Sequence, residues 1–199
     1  MLEFNGKCVI GIDLASSSRN PSGWVLLKGN AVKTSLIYTN SKILESIVRN
    51  HPALIAIDAP LSLPEKGAFF RKADREMIRK GYTVFPPNLP AMKKLALRAI
   101  RLNRLTEKKR YKTIEVHPTS TRKALQTPLK DWKVIQEVLK TLGLKGELET
   151  RPLATHKIGA VTAALTAVLH LKSQTERVGD EEKGYITVPK KRDWRPLAA

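Results

Sequence analysis

Apolar residues in this chain fall into short unbroken runs and one-sided stripes, and the two patterns separate strands from helices. Residues 7–14 (KCVIGIDL) are apolar until a closing acid, the pattern of a strand buried on both faces. A polar Ser, Asn and Pro loop follows over 15–22, then residues 23–28 and 31–38 read as strands joined by the hairpin pair Gly29-Asn30. Residues 41–49 predict a short helix with Ile43, Leu44, Ile47 and Val48 inward, capped by Asn40 or Ser41. A second short buried strand, LIAID over 54–58, is stopped by Ala59-Pro60. Residues 64–89 read as an insertion, with a helix over 71–80 and a break at Pro86-Pro87. A helix over 91–110 precedes a strand at 113–117, halted by Pro118, and short helices at 120–126 and 131–142. Residues 155–171 form a long Ala-rich helix, and GYITV at 184–188 a last strand. Three strands followed by alternating helices and strands predict an α/β fold: a mixed central sheet flanked by helices, with a helical insertion after the strand ending at Asp58. One domain is expected over residues 1–188, followed by a basic tail over 189–199.

Charge sharpens this picture more than composition does. Hydrophobic residues make up 42% of the 199, enough for a packed core, but 36 Lys and Arg stand against 18 Asp and Glu. The net charge of +18 points to a polyanionic partner, nucleic acid first, because neutralised phosphates release their counterions. On the 91–110 helix, Met92, Leu95, Ala96, Ala99 and Leu102 share one side, while Lys94, Arg98, Arg101, Arg104 and Lys108 share the other. A merely solvated face mixes signs, since like charges one turn apart repel; this face has no acid. The terminal Lys190, Lys191, Arg192 and Arg195 extend the excess, either as a nucleic-acid contact or as a mobile tail. A single cysteine, Cys8, excludes an intrachain disulfide and a cysteine-rich zinc site. No apolar run approaches the ~18 residues of a membrane span, and the first residues lack the order of a secretory signal. A cytoplasmic domain is expected.

Three strands that read as buried end in acids: Asp13, Asp58 and Glu115. A carboxylate there is expensive without a positive neighbour, and strand ends of an α/β sheet are where such folds bind ligands. Carboxylate oxygens suit hard cations, Mg²⁺ or Mn²⁺, which in pairs drive phosphodiester hydrolysis. The alternative is that each acid caps the turn after it; three together favour the site. His117, two residues after Glu115 and on the same strand face, is read either as a ligand or phosphate contact or as a structural histidine at the Pro118 turn. Arg71 and Asp74, at i,i+3, are either an ion pair or a phosphate-facing arginine with a further site acid, the ion pair being favoured. Ser16, Ser17 and Ser18 lack the glycine pattern of a phosphate-binding loop.

The opening GIDLA (11–15) with Ser22-Gly23-Trp24 resembles the first hairpin of the RNase H-like superfamily, including resolvases of the RuvC type. The ordered set IDAPLSLP (57–64), RKADREMIRKG (71–81), PPNLPAM (86–92), EVHP (115–118), HKIGAVTAALTA (156–167) and GDEEKGYITVP (179–189) resembles domain-of-unknown-function family 429. That family is described as predicted RNase H-fold nucleases. The resemblance implies an RNase H-like fold with Asp13 and Asp58 on adjacent strands, and metal-dependent phosphodiester chemistry. It also implies a further acid on the last core helix, at the position of Gly159, where this chain has none between Thr155 and Leu171. His156, one turn earlier on the same face, is the candidate to approach the site instead; Gly159 itself reads as a close-packing position.

The expected function is therefore a metal-dependent nuclease. Asp13, Asp58 and Glu115 hold Mg²⁺ or Mn²⁺, His117 or His156 positions water or phosphate, and Arg71 and the Lys94–Lys108 face hold the nucleic-acid backbone. The rival is a nucleic-acid-binding protein of the same fold with reduced or absent turnover, supported by Gly159. A two-domain nucleotide-binding fold of the sugar-kinase type ranks last, because the chain is short and has no Gly-rich phosphate loops.

Overall fold

The computed structural model describes residues 6–198. In chain order its elements are β1 (Cys8–Asp13), β2 (Ser22–Lys28), β3 (Ala31–Ile37), α1 (Asn40–Asn50), β4 (Leu54–Asp58), α2 (Lys72–Arg79), α3 (Pro90–Lys108), β5 (Thr113–Val116), α4 (Pro118–Ala124), α5 (Trp132–Thr141), β6 (Lys145–Gly146), α6 (Glu147–Thr150), α7 (Thr155–Leu171), β7 (Thr175–Asp180), β8 (Gly184–Pro189) and α8 (Arg195–Ala198). The eight strands form one mixed sheet in the order β6-β3-β2-β1-β4-β5-β8-β7. β1, β4, β5 and β8 run parallel through its centre, while β2 and β3 continue antiparallel from β1. None of the helices among the described residues is long and apolar enough to cross a membrane.

Both faces of the sheet are covered, which is why its central strands read as unbroken apolar runs. On one face Val9, Val25, Leu27, Ala56 and Val116 pack against α5 and α7. On the other, Ile10, Ile12, Ile55 and Ile57 pack against Ile43 and Ile47 of α1 and Ala99 and Leu102 of α3. The predicted inward stripe of α1 is halved: Ile43 and Ile47 are buried, and Val48 is exposed. Its cap is Thr39, whose Oγ1 accepts from the Lys42 N–H, not Asn40 or Ser41.

Helix α7 lies unusually close to the sheet. A Cβ at Gly11 would fall 2.1 Å from the Ala160 carbonyl oxygen, and one at Gly23 would fall 1.9 Å from that of His156. Helix backbone thus rests directly on β1 and β2, with small residues on both sides, and α7 is buried from Ile158 to Leu169. This places its first turns over the end of β1.

Two edge elements differ from the pattern reading. β7 (TERVGD) is polar and only Val178 is buried, so no apolar run announces it; it forms because β8 supplies an antiparallel partner. The two-residue β6 pairs with β3 in parallel and likewise carries no hydrophobic signal. At the C-terminal end, residues read as a tail lie against the body: the Arg192 N–H donates to the Ala124 carbonyl, and Trp194 and Leu197 pack on the α5–α7 core.

Candidate active site

Side chains alternate along a strand, so parity decides which acids can meet. In β1, Val9 and Gly11 face α7 and Ile10 and Ile12 face away; Asp13 therefore projects on the α7 side. Ala56 faces the same side, and Asp58 follows it two residues on. Asp13 and Asp58 are direct partners in the parallel β1–β4 ladder, on strands about 4.8 Å apart. Their carboxylates thus share one end and one face of the sheet. Burial, and after it the neighbouring Asp13 charge, pushes Asp58 well above the usual carboxylate range, with Arg122 pulling the other way. Burial also raises Asp13, opposed by His156 and Arg122. Both carboxylates are raised by burial first, which disfavours their charged forms and favours a cation brought between them.

Glu115 lines the same cleft and adds to the charge that raises Asp58, but it arrives from the other parity. It pairs with Ile57, one residue before Asp58, and so carries the parity of the opposite face; Val116 holds the position that would complete a trio. Its carboxylate is also engaged. Arg71 donates from Nη1 to Oε2 at 2.8 Å and from Nη2 to Oε1 at 2.6 Å, and the Leu61 N–H donates to Oε2 at 2.7 Å. Glu115 is thus held by Arg71 and the Leu61 N–H at the wall of the cleft that Asp13 and Asp58 also line. Arg71 is 2% exposed, and its guanidinium also grips Asp74 through Nε and Nη2 at 3.0 and 2.7 Å and Ser62 through Nη1 at 3.2 Å. This cluster stitches the insertion to β5, and the ion-pair reading of Arg71 and Asp74 holds.

A cleft of about 210 Å³ opens at the sheet end, lined by Asp13, Asp58, Glu115 and His117 and, from the insertion, Arg71 and Phe85. His117 precedes α4, and its Nδ1 lies 2.7 Å from Ser120 Oγ. Burial, then the Arg122 charge, pulls its pKa down to about 4, so the ring is neutral at pH 7. A histidine depressed from 6.5 in the unfolded chain stabilises nothing by protonation; stability falls as pH drops from 6.5 towards 4, where the unfolded chain alone takes up the proton. Urea denaturation should show a loss of about 2 kcal/mol between pH 7 and pH 5 from this group, and His117→Asn should flatten that limb. An unchanged slope in the variant would remove the assignment.

His156 comes from the first turn of α7, half exposed, with Nδ1 3.6 Å from Asp13 Oδ2. It does approach the site. Gly159, one turn on, is against the same carboxylate: a Cβ there would fall 2.2 Å from Asp13 Oδ2. Its smallness thus makes room for the Asp13 head group. Arg122 is the residue that pattern reading missed. It is 5% exposed on α4, within electrostatic range of Asp13 and Asp58, and stacked 5.3 Å from the centre of the Trp132 ring. Nothing in its spacing singles it out; its one sequence signal is its place on the helix directly after β5.

The basic face of α3 survives in part. Lys94, Arg101, Arg104 and Lys108 are exposed. Arg98 is half-buried and tied to neighbouring loops: Nη1 donates to the Ala15 carbonyl at 2.7 Å, Nε to Asn40 Oδ1 at 2.9 Å, and Nη2 to the Tyr38 carbonyl. It fastens the loops after β1 and β3 to α3 and still lines a surface groove with Lys94 and Arg101. The face is also less purely charged than its cations imply, since Leu97 among them is 51% exposed.

Among the described residues no three His, Cys, Asp or Glu side chains are grouped to hold a metal ion. The donor set is the Asp13–Asp58 pair. Two carboxylates, with remaining positions left to water and substrate oxygens, is a mode in which Mg²⁺ binds, so the residues fit one hard divalent ion.

A family model described as "Protein of unknown function (DUF429)" matches residues 11–182. Among solved structures, Thermus thermophilus RuvC in complex with a Holliday junction substrate aligns with a TM-score of 0.52 at 17% identity, covering 83% of this chain and 96% of that one. A second Thermus thermophilus RuvC structure aligns with a TM-score of 0.49, at the same identity and coverage. No curated protein matches the chain significantly. At such identity the likeness is one of fold, and the fold is RNase H-like.

Proposed function

Because this chain belongs to the protein family of unknown function DUF429, whose member here has an RNase H-like fold, we propose that it is a metal-dependent nuclease hydrolysing nucleic-acid phosphodiester bonds. The observation that carries the reading is the Asp13–Asp58 ladder pair at the mouth of a cleft in a strongly basic protein. Asp13 and Asp58 hold Mg²⁺ or Mn²⁺ between them, and such an ion supplies Lewis-acid charge at the phosphate and a more acidic water. His156, 3.6 Å from Asp13, sits where it orients that carboxylate or meets a phosphate oxygen. His117, neutral at pH 7 and lining the cleft, is the second group in reach of water there. Lys94, Arg101, Arg104 and Lys108 hold the backbone along α3, whose Met92 and Leu95 line the cleft. Binding by such a surface weakens steeply with salt.

A second reading is favoured by one observation, the place of Gly159 against Asp13 where the family resemblance implies another acid. It makes the chain a nucleic-acid-binding protein without turnover. One experiment separates the two: labelled single-stranded, duplex, hybrid and four-way branched substrates incubated with Mn²⁺ or Mg²⁺, against chelator and Asp13→Asn. Metal-dependent cleavage lost in Asp13→Asn supports the nuclease. Salt-sensitive binding with no cleavage supports the binding protein, and neither overturns both.

A further inference from the structure

The loop between β1 and β2 carries Ser16, Ser17, Ser18 and Arg19, and all four line a surface groove of about 1040 Å³ shared with α3. The other charged residues along the groove are Lys94, Arg98 and Arg101, and among the described residues no carboxylate lines it. Arg19, Lys94 and Arg101 are exposed. Arg98 lies deeper, and its acceptors are the Ala15 and Tyr38 carbonyls and Asn40 Oδ1, all neutral, so hydrogen bonding fixes the guanidinium and leaves its charge uncompensated. Cations gathered without a counter-charge repel one another, a cost that an anion in the groove removes.

The loop is held in place. Arg98 fixes the Ala15 carbonyl at 2.7 Å, Oγ of the buried Ser22 accepts the Ala15 N–H at 3.1 Å, and Ser17 Oγ accepts the Arg19 N–H at 3.2 Å. The groove also begins where the cleft ends. Leu14 and Leu95 line the cleft, while Ser16, two residues on, and Lys94, one residue back, line the groove. From Lys94 to Arg101 is about 10 Å along α3, the axial length of about three phosphates on one strand.

We propose that this groove is a phosphate subsite for the nucleic-acid strand as it leaves the cleft, with Arg19 and the serine hydroxyls contacting the backbone from the β1–β2 loop and Lys94 and Arg101 from α3. The proposal rests on the nucleic-acid reading above and gives it a second wall. A basic helix face alone holds a backbone from one side; a loop opposite encloses the strand and sets its path.

The test is binding of fluorescein-labelled single-stranded and duplex DNA and RNA, with chelator present to prevent cleavage, followed by fluorescence anisotropy across a salt series. Wild type is compared with Arg19→Gln, Lys108→Gln and Lys133→Gln. Lys133 is exposed on α5, which packs on the opposite face of the sheet from α3, and so controls for net charge. Arg19 is exposed, so its replacement leaves the packed core intact. Arg19→Gln should weaken binding about five- to tenfold at 0.1 M salt and lower the slope of log affinity against log salt by about one, with the slope of Lys133→Gln unmoved. An unchanged slope in Arg19→Gln overturns the groove; if Lys108→Gln lowers it, the nucleic-acid reading of α3 stands. An equal fall in Lys133→Gln also overturns the groove, because overall charge then accounts for the loss. No salt-sensitive binding of any probe by wild type overturns the groove and the nucleic-acid reading together.

Discussion

Replacing Arg71 with methionine should destabilise the chain by about 3–5 kcal/mol, the largest loss expected from any single charged residue here. Among the described residues the guanidinium is the only cation in hydrogen-bonding contact with Asp74 and Glu115, and each carboxylate takes two of its donors. Burial works against its charge, but Glu115 and Asp74 outweigh that and hold it above its usual range. Removing it leaves two buried carboxylates facing each other, and that repulsion, more than the lost attraction, sets the size of the effect. Urea denaturation measures it. Adding Glu115→Gln to Arg71→Met should recover a large part of the loss, since one of the stranded charges is then gone. A loss below about 1 kcal/mol would mean that the cluster is no more than an exposed ion pair in effect.

Asp58→Asn should go the other way. At pH 7 the Asp58 carboxyl weighs against folding: its pKa is raised above the unfolded value of 3.8, so the folded chain holds the proton more tightly than the unfolded chain does. That penalty is present above the folded pKa and fades as pH falls through it. An amide of the same shape removes it, and the metal-free variant should gain about 1–2 kcal/mol at pH 7. Cleavage should fall to the level of a chelator-treated sample. Mn²⁺ at a hundredfold over its Kd should raise wild-type stability by about 2.7 kcal/mol and leave the variant unmoved. Equal stabilisation of both by Mn²⁺ would place the ion elsewhere.

The pattern of apolar residues was enough to locate the central strands and the main helices, because buried parallel strands and amphipathic helices announce themselves through hydrophobicity alone. It missed β7, whose pairing with β8 demands no apolar residue beyond Val178. The acids show a sharper limit. Three strand-ending carboxylates look equivalent along the chain, but grouping them requires the register of β5 against β4, which sets Glu115 beside Ile57 and turns it to the other face. Arg98 shows the same limit for a cation. Its position on the helical wheel is that of a solvated residue, and only the fold brings two loop carbonyls and Asn40 to its guanidinium. Arg122 was illegible because its meaning lies entirely in which carboxylates it faces across the chain fold.

The glycines that let α7 approach the sheet are of two kinds. At Gly11 and Gly23 an added carbon would meet the helix backbone, which cannot yield without lifting the helix off the sheet. At Gly159 it would meet the head of the Asp13 side chain, which yields by turning away from Asp58. Lineages drifting under selection for folding alone would therefore retain glycine at 11 and 23 and let 159 wander. Only a requirement for the aimed carboxylate pair holds all three.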